Sequence, residues 1–309
     1  MDGTASGQSR PALVLGGGGA LGVIQAAYIA AAFELGFRPE LIVGTSVGSL
    51  NGAWTAVHPD QPEELLRIWL SLDRLALVKF QPMRLFGKLL HPTSVTTNDV
   101  VPRLLRRRLP GATFADARIP LAVTATNLSL GVKQVFTEGP LDRAILASTA
   151  IPGVFEPVTI DGELFVDGCV TASVDLATAA ELGATEILAI DLTPPPSPAR
   201  PKTAAGVLKQ SFSILTSATT HAAESCLSRQ MPVRVVRPDL SRSSPWKLED
   251  SAGAIARNLR LAREDIHGCI DAEGHVAPAG TCWATPVGAP EPLPDVRPAR
   301  FFGGFRRAS

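Results

Sequence analysis

The sequence has no net charge. Its 29 lysines and arginines are offset by 29 aspartates and glutamates, so no overall field draws it to nucleic acid. Cysteine is scarce, with four residues in 309. Cys169, Cys226, Cys269 and Cys282 show no CxxC spacing, which excludes a disulfide framework or a cysteine zinc site. They read as free thiols of a cytoplasmic chain. No His/Asp/Glu cluster has ligand spacing, so no metal and no cofactor is expected. Long apolar runs are missing too. The stretch from Ala12 to Phe37 is broken by glycines and ends near Glu34 and Arg38, a poor bilayer span. The opening MDGTASGQSR has neither the charged lead nor the apolar core of a secretion signal. There are no internal repeats.

What is present suffices for one large core: 45% of the residues are hydrophobic. ALVL (12–15) reads as a buried strand, GGGGALG (16–22) as a turn, and the alanine-rich residues 20–36 as a helix stopped by Gly36. LIVGT (41–45) is the next buried strand and residues 47–57 the helix after it. A helix over 60–72 is expected to start with Asp60 as N-cap, Pro62 in its first turn and Glu63 at the capping-box position. Such βαβα units predict an α/β fold, a mostly parallel sheet with helices on both faces. Residues 73–118 mix aliphatic, aromatic and basic side chains and read as a cap inserted between sheet elements. Further strands are expected at 120–128, 133–137 and 186–192, with a helix over 140–150 and a hairpin turning at Asp161-Gly162. After a proline-rich linker (193–201) come two more helices and a short strand. The expected division is a flexible N-terminus over 1–10, one α/β domain over 11–275, and a disordered Pro/Gly-rich tail over 276–309.

Two motifs carry chemistry. Gly17, Gly19 and Gly22 form G-x-G-x-x-G between a strand and a helix, which fits a dinucleotide fingerprint. The acid that would hold a ribose should end the second strand, yet Glu40 precedes it. The alternative use is electrostatic: glycine N–H groups beside a helix N-terminus suit a developing oxyanion. The second motif is Gly44-x-Ser46-x-Gly48. It fits a nucleophile elbow, with Ser46 exposed on a sharp strand-to-helix turn and the Val47 N–H as an oxyanion donor. An ordinary helix N-cap is the plain alternative.

A serine nucleophile needs a base. None of His58, His91, His221, His267 and His275 sits in a glycine-bounded turn after a buried strand, although a triad through His267 or His275 stays open. Asp167, in LFVDG, ends a β-rich run and can face a site from there; a plain Asp-Gly turn is the competing reading.

Taken together, GGGALG (17–22), GTSVGSLNG (44–52), ASTAIPGVFEPV (147–158) and VDGCVTASV (166–174) resemble the patatin-like phospholipases. The resemblance covers roughly residues 12–192. It implies a three-layer patatin-like fold and a lipid acyl hydrolase with Ser46 as nucleophile and Asp167 as base. It places the oxyanion hole in the backbone of Gly17, Gly18 and Gly19. Two positions depart from the family pattern: Leu21, where Arg or Lys is common, and Cys169, where Gly or Ala follows the aspartate's glycine. The expected partner is an acyl-ester lipid. The cationic and apolar residues between 75 and 108, among them Phe80, Phe86, Lys79 and Arg84, suggest a peripheral membrane contact. Two other functions stay in view, a catalytically weak lipid-binding or regulatory protein of this fold and a dinucleotide-binding oxidoreductase. Oligomeric state is not legible.

Overall fold

The structure is a computed structural model that describes residues 9–71, 100–194, 200–240 and 251–277. Residues 73–99 of the expected cap, residues 195–199 of the linker, residues 241–250 and the tail from 278 lie outside them.

Eight strands form one sheet: β1 (Pro11–Leu15), β2 (Leu41–Thr45), β3 (Leu121–Asn127), β4 (Val132–Phe136), β5 (Val158–Ile160), β6 (Glu163–Asp167), β7 (Glu186–Ile190) and β8 (Val233–Val236). The order is β5-β6-β3-β2-β1-β7-β8, with β4 also on β3. Strands β3, β2, β1, β7 and β8 run parallel. The hairpin partners β4, β5 and β6 are antiparallel. The sheet is therefore mostly parallel, as expected, with an antiparallel end.

Alternation along β1 explains the layers. Leu13 and Leu15 point into the larger core, with helices α1 (Gly22–Glu34), α2 (Val47–Val57), α3 (Pro62–Ser71), α4 (Val100–Arg108), α5 (Leu141–Ser148) and α8 (Ser251–Ile266). Ala12 and Val14 point to the other face, covered by α6 (Leu176–Glu181) and α7 (Ala204–Leu227). Period-two side chains on a strand buried on both faces produce this three-layer arrangement. Helix α1 is buried from Gly22 through Phe33, which is why its sequence is apolar all round rather than amphipathic.

Some boundaries move. Gly36 ends α1 at φ +91°, as its position predicted. Asp161 (φ 50°) and Gly162 (φ 86°) make the two-residue hairpin turn. Asp60 is not the α3 cap: the helix starts at Pro62, and the Asp60 carboxylate accepts from Arg118 instead. The described end of the expected cap joins the main core through Leu104, Leu105 and Phe114. At the other end, Val276 and Ala277 are buried, so the packed body extends two residues past the expected boundary.

Candidate active site

Ser46 is the single residue between β2 and α2. Its backbone sits at φ 54°, ψ −126°, a conformation that costs roughly 1–3 kcal/mol outside glycine. Two glycines make the turn feasible. A Cβ on Gly48 would lie 2.1 Å from the Leu15 carbonyl oxygen, and one on Gly44 would lie 2.5 Å from the Gly48 oxygen. The polar groups of the strained residue are all satisfied. Its N–H donates to Ser148 Oγ at 2.8 Å, and Ser148 donates onward to the Thr124 carbonyl at 2.7 Å. Its carbonyl accepts from the Ser49 N–H at 2.9 Å and the Ser49 hydroxyl at 2.6 Å. These bonds offset the strain.

The register of β3 explains how Asp167 reaches this serine. A strand has two edges. Strand β4 occupies one edge of β3 along residues 123–127. Strands β2 (against 121–124) and β6 (against 125–127) must then share the other edge, end to end. Ser46 lies one residue beyond the Thr45–Thr124 pair, and Asp167 is paired with Ala125. The two strands thus meet tip to tip, and Ser46 Oγ donates to Asp167 Oδ2 at 2.6 Å. The other carboxylate oxygen accepts from the Cys169 N–H at 2.9 Å, and the Asp167 N–H donates to the Ala150 carbonyl. Ser46 is 4% exposed and Asp167 2%. Burial raises the Asp167 pKa above the ordinary carboxylate value, and the Ser46 and Cys169 hydrogen bonds offset part of that rise.

Cys169 is more than a slightly larger glycine substitute. A Cβ on Gly17 would lie 2.2 Å from its Sγ and 3.2 Å from Ser46 Cβ. The thiol therefore lies across the glycine loop beside Ser46. Burial first, then the Asp167 charge, push its pKa well up, so it stays a neutral thiol of low nucleophilicity.

The glycine loop is held from both ends. Gln25 Nε2 donates to the Gly16 carbonyl at 3.0 Å, and Asn51 Nδ2 donates to the Gly22 carbonyl at 3.0 Å. Asn51 also bonds Gln25 Oε1 and accepts from Trp69 Nε1 at 2.6 Å. Gln25 and Asn51 are fully buried, so this network is costly to break. Within the loop, the Gly17 N–H already donates to the Ser173 carbonyl at 3.1 Å. That narrows the expected oxyanion donors. Among the described residues, no hydrogen bond engages the N–H of Gly18, Gly19 or Val47. Gly18 must lack a side chain, since its Cβ would meet Leu192 at 2.6 Å. Leu21, where the family often has a cation, packs on the core.

The described histidines sit elsewhere. His58 ends α2 and stacks on Trp54. His221 bonds the Ser217 carbonyl of its own helix. His275 bonds Glu186 at the start of β7, whereas the serine lies at the strand ends opposite. His267 bridges Ile270, which pairs with Val276, whose N–H is itself bonded to Glu186. His91 lies outside the described residues. Glu40 donates its N–H to Pro11 at the start of β1, remote from the loop, so no acid ends β2 to hold a ribose. Among the described residues, no group of three or more His, Cys, Asp or Glu could hold a metal ion. Leu50, Trp69 and Leu105 line an apolar crevice between α2, α3 and α4.

A family model described as Patatin-like phospholipase matches residues 13–180, more than half of the chain. The protein belongs to the patatin-like phospholipase family. It is 30% identical over 187 residues to an uncharacterised NTE family protein of Mycobacterium bovis, a match spanning 60% of this chain and 50% of the relative. It is 29% identical over 181 residues to a lysophospholipase of Mycosarcoma maydis, spanning 58% of this chain but 9% of that protein. The chain thus spans about half the length of the mycobacterial relative and a small part of the fungal one. Among solved structures, VipD from Legionella pneumophila aligns over 84% of this chain and 66% of its own, at 12% identity and a TM-score of 0.42.

Proposed function

We propose that the protein is a serine lipid acyl hydrolase of the phospholipase A, lysophospholipase or esterase type, working through a Ser46–Asp167 dyad. One observation carries the reading: a buried serine on a strained elbow donates a 2.6 Å hydrogen bond to a buried carboxylate. Membership of the family and the lysophospholipase names among the relatives support the substrate class.

In this mechanism Ser46 Oγ attacks the acyl carbonyl while its proton passes to Asp167 Oδ2. A carboxylate whose pKa burial has raised is a stronger base than one in water. The oxyanion is met by the N–H groups of Gly18, Gly19 and Val47, with Gly17 kept bare so that Cys169 and Ser46 fit beside it. Collapse of the tetrahedral intermediate expels the alcohol, which takes the proton back from Asp167. Water, deprotonated by Asp167, then cleaves the acyl-enzyme and restores the serine.

The test is kcat/KM on a soluble acyl ester. Asp167→Asn keeps size but loses the proton acceptor, so turnover should fall by roughly 10²–10⁴-fold. Ser46→Ala should be at least as damaging, and the double variant no worse than the serine variant alone. An active, folded Asp167→Asn enzyme would remove the dyad.

A further inference from the structure

Helix α7 is 24 residues long, and its two halves differ. The second half is anchored: Thr216 and Thr220 are buried, and Ala223 and Leu227 pack on the apolar cluster beneath the sheet. The first half carries Val207, Leu208, Phe212, Ile214 and Leu215, all exposed, with Leu208 at 71%. Leu208, Phe212 and Leu215 follow i, i+4, i+7 spacing and so form one stripe, flanked by Val207 and Ile214. Five large apolar side chains are exposed within nine residues, the kind of surface that marks an interaction site rather than chance exposure.

Charge says what kind of partner fits. From Arg200 to Ala223 the chain carries Arg200, Lys202 and Lys209 and no acidic residue. All three cations are exposed. An apolar stripe edged by cations without anions suits the headgroup region of an anionic bilayer, where the apolar side chains insert and the lysines meet lipid phosphates. Pairing two copies through the same stripe would instead bring like charges together.

Position ties the first half of α7 to the glycine loop. Ser213, in the same half of the helix, donates to the Pro194 carbonyl at 2.7 Å. Two residues before Pro194, Leu192 lies against Gly18 in the glycine loop. This half of α7 is therefore bonded, through Ser213, to the segment that packs on the glycine loop.

We propose that the exposed apolar stripe of α7, with Lys202 and Lys209, is the surface by which this protein docks on an anionic lipid bilayer. The choice of a bilayer as partner rests on the lipid-hydrolase reading above, but its test does not depend on hydrolysis.

Binding of the full chain to vesicles is measured by flotation, with phosphatidylcholine alone and with added phosphatidylglycerol. Thermal melting and soluble-ester turnover are followed alongside. The wild type should bind the anionic vesicles about tenfold or more tightly than the neutral ones, and less tightly as salt is raised. Leu208→Ser, Phe212→Ser and Leu215→Ser together should lower that binding at least about tenfold. Melting temperature and ester turnover should not change, since these side chains are exposed. Lys209→Glu should weaken anionic binding alone, and Ser46→Ala should bind vesicles like the wild type. Undiminished binding by the triple variant overturns the proposal, and so does a wild type that binds neither vesicle. A wild-type dimer that the triple variant dissociates also overturns it, by making the stripe a contact between copies. Vesicle binding that persists in a chain with no ester turnover removes the hydrolase reading and leaves the docking surface. The reverse result removes the docking surface alone.

Discussion

As the proposed base, Asp167 would have to be ionised in a site that disfavours charge. Burial raises its pKa, so the acid limb of kcat/KM on a soluble ester should lie above the ordinary aspartate value of about 3.9. A limb at or below that value would contradict the assignment. Stability has its own pH signature. A raised pKa in the folded state means the native protein holds this proton more tightly than the unfolded chain does. That contribution is fully present below the unfolded value and is lost as pH rises through the folded one. Asp167→Asn carries no charge at any pH, so it should melt above the wild type at pH 8 by a margin that shrinks towards pH 4. Ser46 and Asp167 were legible from the sequence because each sits in a short local pattern, glycine-flanked and at a strand end. Ser148, Gln25 and Asn51 were not. Their bonds go to backbone groups or to partners distant in sequence, Ser148 lying 102 residues from Ser46, and no spacing announces such a contact. Cys169 was noticed as a departure, but its place across Gly17 depends on how two loops meet.

Elements meet at the site through glycine contacts that allow almost no give. Gly48→Ala forces a Cβ to 2.1 Å from the backbone of β1, where no flexible side chain can yield. The expected loss is about 3 kcal/mol or more by denaturant unfolding; a variant as stable as the wild type would show that α2 can slide on the sheet. Asn51→Leu keeps volume but strands Gln25, Trp69 and the Gly22 carbonyl. It should cost about 1–3 kcal/mol in stability. If the network also aligns the glycine loop, kcat should fall with little change in KM. Helices and strands were legible one by one from periodicity and turn residues, including the hairpin at Asp161-Gly162. The joint was not. That β6 continues the edge of β3 where β2 stops is a matter of strand pairing between distant segments, which local patterns do not encode. The same holds for Asp60, whose cap-like spacing was outbid by Arg118 across 58 residues.

At the scale of the molecule, the end of the sheet that carries Ser46 and Asp167 and the end of the packed chain are opposite each other. Residues 267–277 fold back onto the start of β7 and onto Gly36 after α1. The Val276 N–H and His275 Nδ1 both bond Glu186. The hydrogen bond to Glu186, and then its charge, raise the His275 pKa. Its stabilising contribution is therefore present below the ordinary histidine value of about 6.5 and lost as pH rises through the raised one. His275 is about half exposed, so the effect is small. His275→Gln should melt slightly below the wild type at pH 6, the gap closing by pH 9, with ester turnover within a small factor. A dead but folded His275→Gln enzyme would reopen the histidine triad. Among the described residues, no helix is long and apolar enough to cross a membrane.

Covalent labelling asks whether Ser46 is a nucleophile activated by Asp167. The full chain is treated with a fluorophosphonate and its intact mass recorded. One adduct per chain is expected, mapped to Ser46, absent in Ser46→Ala and formed at least about a hundredfold more slowly in Asp167→Asn. A folded wild type that takes no label, or labelling of Asp167→Asn at the wild-type rate, would contradict it.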